Sequence, residues 1–329
     1  MRASFGQKTA LDVSNKTING VRLEGNLMNP AKSHPRKPAN PPHKVDNLRA
    51  VWWILLSVLG SSAMAIAVRD ISTQIDSRTI VFLRSVISSG VILLALILFA
   101  RLRAHLRFSR PAQHLIRGSV IAASTHLGFY AIANLPMATV TVLFFLAPIW
   151  ATLLAVLIHK EHVGPRRIMA ITIGFAGAMV ILRPGFASFE PAMLAALVSS
   201  MLFALALNMS RGLAQEDGAI SVYFSSVVIT AIISLPFAWP VMALPTDMRG
   251  SFALGIIVVA GALRGYADIE AYRHGEAGLL APITYLRLVI IATSAYFLYN
   301  EVPDIYTIIG ATIVIGSTLY IALREARKR

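Results

Sequence analysis

Apolar segments close to 20 residues long recur along the chain, separated by short stretches that collect the charged and polar residues. A hydrocarbon core about 30 Å thick requires roughly 20 helical residues, because each residue advances an α-helix by about 1.5 Å. No segment alternates apolar and polar residues as a barrel strand does. The pattern predicts ten transmembrane helices, at residues 50–68, 79–100, 118–136, 138–158, 168–182, 191–209, 219–239, 251–272, 278–298 and 305–322.

The amino-acid composition is that of a membrane protein. Hydrophobic residues make up 56% of the 329 residues, charged residues only 14%, and the mean hydropathy is +0.66. A soluble domain of this length carries more charge. Because lipid offers the backbone no hydrogen-bond partners, we expect an all-α integral membrane protein. The chain has no cysteine, which excludes disulfides, thiol catalysis and cysteine metal sites.

The N-terminal residues 1–49 differ from the rest of the chain. They hold nine Lys or Arg against three acids, and residues 29–44 are rich in proline. Such a segment cannot bury an apolar core, so we expect a disordered basic tail. Beside ten predicted helices, contact with anionic lipid is a better explanation of this charge than nucleic-acid binding.

The distribution of basic residues predicts the orientation in the membrane. If the N-terminal tail lies inside and the helices alternate, the inner loops and the C-terminal tail hold fourteen Lys and Arg, whereas the outer loops hold four. Cytoplasmic loops retain such residues. We therefore predict a protein of the cytoplasmic membrane with both termini in the cytoplasm.

The chain repeats itself after a shift of 140 residues. The matched pairs include Leu146 with Leu286, Ala155 with Ala295 and Glu161 with Glu301. Each copy contains five predicted helices, and an odd number inserts the second copy upside down. We therefore predict two inverted five-helix repeats, at residues 50–185 and 190–323, followed by a basic tail at residues 324–329. Inversion also accounts for the opposite charge of two matched joints, the basic "HKEHVGPRR" and the acidic "YNEVPDIYT".

Two segments resemble the two copies of the EamA domain, from the drug/metabolite transporter superfamily. They begin "LPMATVTVLFFLAPIW" at residue 135 and "APITYLRLVIIATSAYF" at residue 281. The first copy has a mid-helix Pro148, a loop glutamate and then Gly174 and Gly177, whereas the second has Leu288 in place of Pro148. The resemblance implies a ten-helix carrier of small metabolites that works by alternating access around a cavity between the repeats.

Three arginines fall inside predicted helices: Arg84, Arg264 and Arg287. A charge near the bilayer centre costs roughly 2.5 to 3.5 kcal/mol on insertion scales, so it usually faces a cavity or a partner. We interpret all three as substrate contacts. The alternatives are a structural contact for Arg287, snorkelling to the surface for Arg84, and mutual neutralisation of Arg264 by Asp268 at i, i+4.

Five further residues are candidates for substrate binding. His126 lies in the middle of the third predicted helix, and the 140-residue shift matches it to Tyr266. Tyr130 shares the face of His126, Tyr285 lies two residues before Arg287, and Trp150 lies beside Pro148. The alternative for each is an ordinary packing role.

Four residues are candidates for gating or coupling: Asp268, Glu161, Glu301 and Pro148. Asp268 is the clearest buried acid in the pattern. The two glutamates each precede a helix that starts with proline, where a carboxylate alternatively serves only to stabilise the positive end of the helix dipole. The histidines beside Glu161 lack a fourth ligand, so we predict no metal site and no cofactor.

These features predict a secondary transporter for a small, carboxylate-bearing or amino-acid-like metabolite, because the buried cations outnumber the buried acids. A lipid flippase of the same superfamily is the alternative. A membrane-embedded enzyme is less favoured, since no Gly-x-Ser-x-Gly, His-Glu-x-x-His or paired aspartates are present. The expected partners are the small-molecule substrate and membrane lipid, with no nucleic acid. A homodimer is left open.

Overall fold

The computed structural model describes residues 47–99, 103, 106–159, 165–182, 190–275, 280 and 283–327. These residues belong to one compact unit. In this part of the chain the regular elements are eleven α-helices and one 3₁₀ turn at Trp239–Val241. The helices are α1 (Asn47–Ile71), α2 (Ser77–Leu98), α3 (Pro111–Asn134), α4 (Met137–Phe144), α5 (Ala147–His159), α6 (Pro165–Leu182), α7 (Pro191–Asp217), α8 (Ala219–Ala238), α9 (Met248–His274), α10 (Leu286–Tyr299) and α11 (Ile305–Arg327).

The all-α prediction is confirmed for the described residues. Five helices, α1, α2, α7, α8 and α9, are long and apolar enough to cross a membrane. Shorter apolar helices occur within α4–α5, α6, α10 and α11. The number of ten spans stays a prediction. The N-terminal tail up to residue 46 and the joint at residues 160–164, which contains Glu161, lie outside the described residues.

Short-range polar contacts fix where several helices begin and end. Asp76 caps α2 by accepting a bond from the Arg78 amide at 2.8 Å, and Asp247 caps α9 by accepting from the Gly250 amide at 2.7 Å. The Arg78 side chain also holds the pKa of Asp76 below its ordinary value. At the end of α10, Asn300 takes the left-handed conformation with φ 52°, which ends the helix.

Two helix breaks lie 140 residues apart. The predicted helix at residues 138–158 is divided into α4 and α5 by Phe145 and Leu146, and α10 starts after a turn at Tyr285. Pro148 explains the first break, because proline has no N–H to donate to the preceding turn. The second break occurs without a proline. The two breaks touch: the rings of Phe145 and Tyr285 pack edge to face with centroids 5.0 Å apart.

Glycines bring α6 and α11 into close contact. A Cβ atom on Gly177 would lie 3.1 Å from the Gly310 carbonyl oxygen, and one on Gly310 would lie 2.8 Å from the Gly177 carbonyl oxygen. A Cβ on Gly174 would lie 2.7 Å from Ser317 Oγ. Gly174 and Gly177 therefore allow α6 and α11 to pack closely, and Gly310 serves the same contact from the opposite helix.

Candidate substrate site

Four polar side chains from three helices form a central cluster, which consists of Ser57, Arg264, Asp268 and Arg287. Arg264 and Asp268 lie one turn apart on α9, with Arg264 Nε 3.6 Å from Asp268 Oδ2. The Ser57 hydroxyl of α1 donates to Asp268 Oδ1. Arg287, in the first turn of α10, lies within electrostatic reach of Arg264 and Asp268. The arrangement brings one carboxylate and two guanidinium groups into the same region.

A glycine on α1 makes this arrangement possible. A Cβ atom on Gly60 would lie 2.9 Å from the Ala260 carbonyl oxygen and 3.2 Å from the Arg264 amide nitrogen, so the backbones of α1 and α9 are in near contact. Gly60 lies opposite Arg264, and Ser57 lies opposite Asp268. The two helices are therefore antiparallel here, and the short serine side chain is long enough to reach the carboxylate.

Arg287 lacks a full set of partners. Its Nε makes no hydrogen bond to any part of the chain that the structure describes, and its guanidinium carbon lies 5.7 Å from the centroid of the Phe144 ring. The guanidinium of Arg264 similarly lies 4.9 Å from the ring centroid of Phe203. Aromatic faces stabilise cations without using their N–H donors. Within the described residues, Arg287 Nε is therefore a buried donor without an acceptor.

The third predicted arginine joins the same region. Arg84 of α2 lies within electrostatic reach of Arg264, and its guanidinium carbon lies 5.7 Å from the Phe129 ring centroid. Its Nε is so near α9 that a Cβ atom on Gly261 would lie only 2.7 Å away. Arg84 therefore faces the bundle instead of snorkelling to its surface.

The two candidate aromatic residues at the helix breaks contact neighbouring helices. The Tyr285 hydroxyl shares a hydrogen bond with Thr318 of α11. Trp150 donates from Nε1 to Ser200 Oγ at 3.0 Å and packs edge to face on Phe175, with centroids 4.7 Å apart. These contacts hold the two breaks against the rest of the bundle. Their role in substrate binding stays a prediction.

The other three candidates make their contacts elsewhere. His126 Nε2 lies 2.8 Å from Ser234 Oγ, at the packing surface of α3 and α8. Tyr266 packs edge to face on Trp53 with centroids 5.5 Å apart, and Tyr130 is 40% exposed. In the described part of the chain, none of the three makes a hydrogen bond or ring contact with the central cluster. Tyr266 is two residues from Arg264, which turns it roughly 200° away around α9.

Glu301 connects three helix ends through what we call the Arg69–Glu301 network. Its Oε1 lies 2.9 Å from Arg69 Nη2 at the end of α1, and its Oε2 accepts a bond from the Met137 amide at 2.8 Å. Arg69 Nη1 also donates to the Ala133 carbonyl oxygen at 2.8 Å. Glu301 therefore caps α4, and not the helix that follows it in sequence. At α11, Asp304 caps the helix by accepting from the Thr307 amide at 2.9 Å.

The predicted start of the third helix at residue 118 places Arg117 among the fourteen basic residues of the inner loops and tail, and this placement is wrong. Helix α3 begins at Pro111, seven residues before the predicted start, and Arg117 lies inside it with only 5% exposure. Its Nε donates to Ser210 Oγ at 2.7 Å, and its Nη1 donates to Ser226 and to the Val222 carbonyl oxygen. Proline at a first helical position was the available signal for the earlier start.

The structure buries two further acids besides Asp268, which was the clearest buried acid in the sequence. Asp217 lies at the end of α7 with its Oδ2 2.9 Å from His114 Nε2. Glu270 of α9 lies 3.2 Å from both Arg273 Nη1 and His274 Nδ1. Each of these acids is paired with a basic side chain. An excess of arginine over acid thus persists around Arg84, Arg264, Arg287 and Asp268.

Comparison with known sequences assigns the chain to a family. The sequence model of the EamA-like transporters matches it twice, over residues 48–183 and 190–323. The chain belongs to the EamA-like transporter family. The earlier resemblance is thereby confirmed, and the EamA-like chain is an integral membrane protein and a transporter, not an enzyme.

Curated relatives cover nearly the same part of this EamA-like protein. An S-adenosylmethionine uptake transporter of Rickettsia prowazekii (strain Madrid E) is 31% identical over 283 residues, which is 85% of this chain and 94% of the relative. A pseudopaline exporter of Pseudomonas aeruginosa (strain UCBPP-PA14) is 27% identical over 84% of this chain and 96% of its own. A riboflavin transporter of Brucella anthropi is 28% identical over 77% of this chain and 90% of its own.

One solved crystal structure shares the fold. It superposes with a TM-score of 0.62 at 19% sequence identity, covering 86% of this chain and 99% of the solved one. Small-molecule transport is common to the named relatives, whereas their named substrates differ.

Proposed function

We propose that this EamA-like protein is a secondary carrier that moves a small carboxylate-bearing or amino-acid-like metabolite across the cytoplasmic membrane by alternating access. The observation that carries the proposal is the convergence of Arg84, Arg264 and Arg287 on the face of α9 that holds Asp268. Three cations and one acid leave excess positive charge inside an apolar bundle. Such a charge is costly unless a ligand uses it.

The chemistry of the central cluster suits an amino-acid head group. A guanidinium binds a carboxylate through paired, charge-assisted hydrogen bonds, and Arg287 Nε is an unused donor. Asp268 is the acceptor for a substrate amino group. The name of the Rickettsia relative gives S-adenosylmethionine, a compound with both an α-amino and an α-carboxylate group, which supports this class of substrate.

Ten spans in two inverted five-helix repeats are part of the proposal. The double family match and the two helix breaks 140 residues apart support it. Broken helices at the repeat interface supply the irregular backbone at which carriers bind their substrates. In this arrangement the termini lie in the cytoplasm and the Arg69–Glu301 network lies on the outer side. There it joins α1, α3 and α4 to the end of α10 and serves as the outer gate.

Membrane lipid is the expected solvent of the outward-facing apolar side chains. Leu98 is 65% exposed and Phe297 is 76% exposed. Other large apolar side chains along the bundle surface are exposed as well. Lipid removes the cost of exposing such residues to water. A homodimer, which would cover part of this surface, stays a prediction.

Transport from liposomes tests the proposal. We would reconstitute the full chain, load the vesicles with a mixture of amino acids, other carboxylates, amines and neutral metabolites, and identify what leaves by mass spectrometry. We expect selective efflux of carboxylate-bearing compounds, reduced at least about 30-fold by Arg287→Ala because a charge-assisted contact worth about 2 kcal/mol is lost.

The matched control is Arg110→Ala, which removes an exposed arginine paired with Glu216. We expect it to leave efflux unchanged, since exposed ion pairs contribute little. Full carboxylate efflux by Arg287→Ala would contradict the proposed site. Selective efflux of cationic or neutral compounds would contradict the substrate class.

A further inference from the structure

A second group of polar side chains lies beside the central cluster, between α2, α8 and α9. It consists of Arg84 and Ser88 on α2 and Tyr223 on α8, and we call it the Tyr223 pocket. Ser88 is 3% exposed and Tyr223 is 9% exposed, so both hydroxyl groups are withdrawn from the surface. Arg84 links the two groups, because it also lies within electrostatic reach of Arg264.

The polar atoms of this pocket are not fully satisfied. Arg84 and Ser88 lie close enough to the Tyr223 hydroxyl to interact with it, at a distance or angle outside that of a regular hydrogen bond. Accordingly, Arg84 Nε, Ser88 Oγ and Tyr223 Oη make no hydrogen bond with any residue that the structure describes. Leaving one buried polar group unpaired costs about 1 to 3 kcal/mol, and native proteins rarely do so without a reason. Three such atoms side by side point to a ligand that completes them.

Glycines on α9 allow the side chains of the Tyr223 pocket to approach its backbone closely. A Cβ atom on Gly261 would lie 2.7 Å from Arg84 Nε, and one on Gly265 would lie 2.4 Å from Tyr223 Cε2. Any larger residue at either position would displace the pocket's own side chains. The glycines therefore allow Arg84 and Tyr223 to lie directly on the α9 backbone.

The same face of α9 connects the pocket to the central cluster. Four residues of α9 lie on one side of the helix, because they are three, one and three positions apart: Gly261, Arg264, Gly265 and Asp268. From Gly261 to Asp268 the helix rises roughly 10 Å, at about 1.5 Å per residue. The two groups are therefore separated by about the length of one extended amino-acid ligand.

We propose that the Tyr223 pocket binds a second anionic oxygen group of the substrate, while the amino-acid head of the same molecule occupies the central cluster. The inference rests on the proposed function and narrows its substrate class to amino acids whose side chain ends in a carboxylate. Arg84 supplies a charged donor, and the two hydroxyls can each donate to the same group. No acid belongs to the pocket to compete for them.

Ligand-dependent thermal unfolding of the purified full chain tests this inference. The probes are L-2-aminosuberate and L-2-aminooctanoate, which share an amino-acid head and chain length but differ in the terminal carboxylate. We expect the dissociation constant from the titrated unfolding midpoint to be at least tenfold lower for aminosuberate, equal to about 1.4 kcal/mol.

Tyr223→Phe is the decisive variant. It removes one unpaired hydroxyl, so the unliganded midpoint should stay the same or rise, while the preference for aminosuberate falls severalfold. Tyr299→Phe is the matched control, because its hydroxyl donates to the Ile66 carbonyl oxygen at 3.1 Å. In that variant we expect a lower midpoint and an unchanged preference. Ser88→Ala provides a second test should Tyr223→Phe fail to fold.

The outcomes separate the inference from the proposed function. Equal binding of the two probes by the wild-type protein would overturn the inference alone, as would a full preference in both Tyr223→Phe and Ser88→Ala. Binding of neither probe would overturn the proposed substrate class together with the inference. A preference that falls in both variants without a lower midpoint supports the pocket.

Discussion

Two regions of the bundle bury arginine, and they treat it in opposite ways. Between α3, α7 and α8, Arg117 donates to Ser210, Ser226 and the Val222 carbonyl oxygen. Along α9, Arg84 and Arg287 each have an Nε without a hydrogen bond to the described residues. Burial alone therefore does not identify a binding arginine. In the proposed site, the arginines that bind the ligand are those whose buried donors lack an acceptor and that have no ion pair with an adjacent acid.

Arg117→Met should give the largest effect and tests the first side of this comparison. Methionine keeps much of the volume but removes the bonds to Ser210, Ser226 and the Val222 carbonyl, which then keep only the bonds within their own helices. We expect the free energy of unfolding to fall by about 3 kcal/mol, from the loss of several buried hydrogen bonds to a charged group. Thermal or denaturant unfolding in detergent measures it. Transport per folded molecule should stay near wild type, and a selective loss of transport with normal stability would show that Arg117 also binds substrate.

Glu301→Gln should give an intermediate effect and sharpens the comparison. Glu301 is satisfied like Arg117, yet its partners lie at the ends of separate helices. We expect the change to weaken the Arg69 contact by about 1 kcal/mol, because a half-buried ion pair becomes a neutral hydrogen bond. Labelling of a cysteine at Leu135, which is fully buried between Ala133 and Met137, should become faster if the network is a gate. An unchanged labelling rate with a lower unfolding midpoint would assign Glu301 a purely structural role.

Asp76→Ala should give the smallest effect, because its contacts are satisfied but exposed. Loss of the cap of α2 should lower the free energy of unfolding by about 1 kcal/mol or less. The pKa of Asp76 is lowered in the folded protein, first by the Arg78 side chain. Its contribution is therefore present above the ordinary value of 3.8 and is lost as the pH falls through the lowered pKa. The free energies of unfolding of wild type and Asp76→Ala should become equal in acid. A constant difference between them at all pH values would contradict the assignment of the effect to the ionised Asp76 carboxylate.

The apolar pattern predicts much of the architecture, and charge predicts part of the site. Arg84, Arg264, Arg287 and Asp268 stand out in the sequence because ionisable residues in apolar segments are expensive, and the structure brings them together. Ser57, Ser88 and Tyr223 carry no such signal, since hydroxyl side chains are common in apolar helices.

Other features depend on contacts that are distant in sequence. The bond from the Met137 amide to Glu301 joins residues 164 positions apart, and a local pattern could suggest only the helix that follows Glu301. No proline follows the break at Tyr285, so the sequence does not predict it. The matching break at Phe145 and Leu146 is indicated by Pro148. The position of Arg117 was missed because the polar first turns of α3 do not resemble a membrane helix.

In the carrier proposed above, the Arg69–Glu301 network would give the two faces unequal kinetics. The 140-residue shift matches Glu301 to Glu161 but Arg69 to Met209, so no arginine stands at the position equivalent to Arg69. An ion pair that closes the outer face would favour the conformation closed on that face, and the apparent affinity measured there would weaken in proportion to the open fraction. The network would then set the substrate concentration at which the outer face saturates.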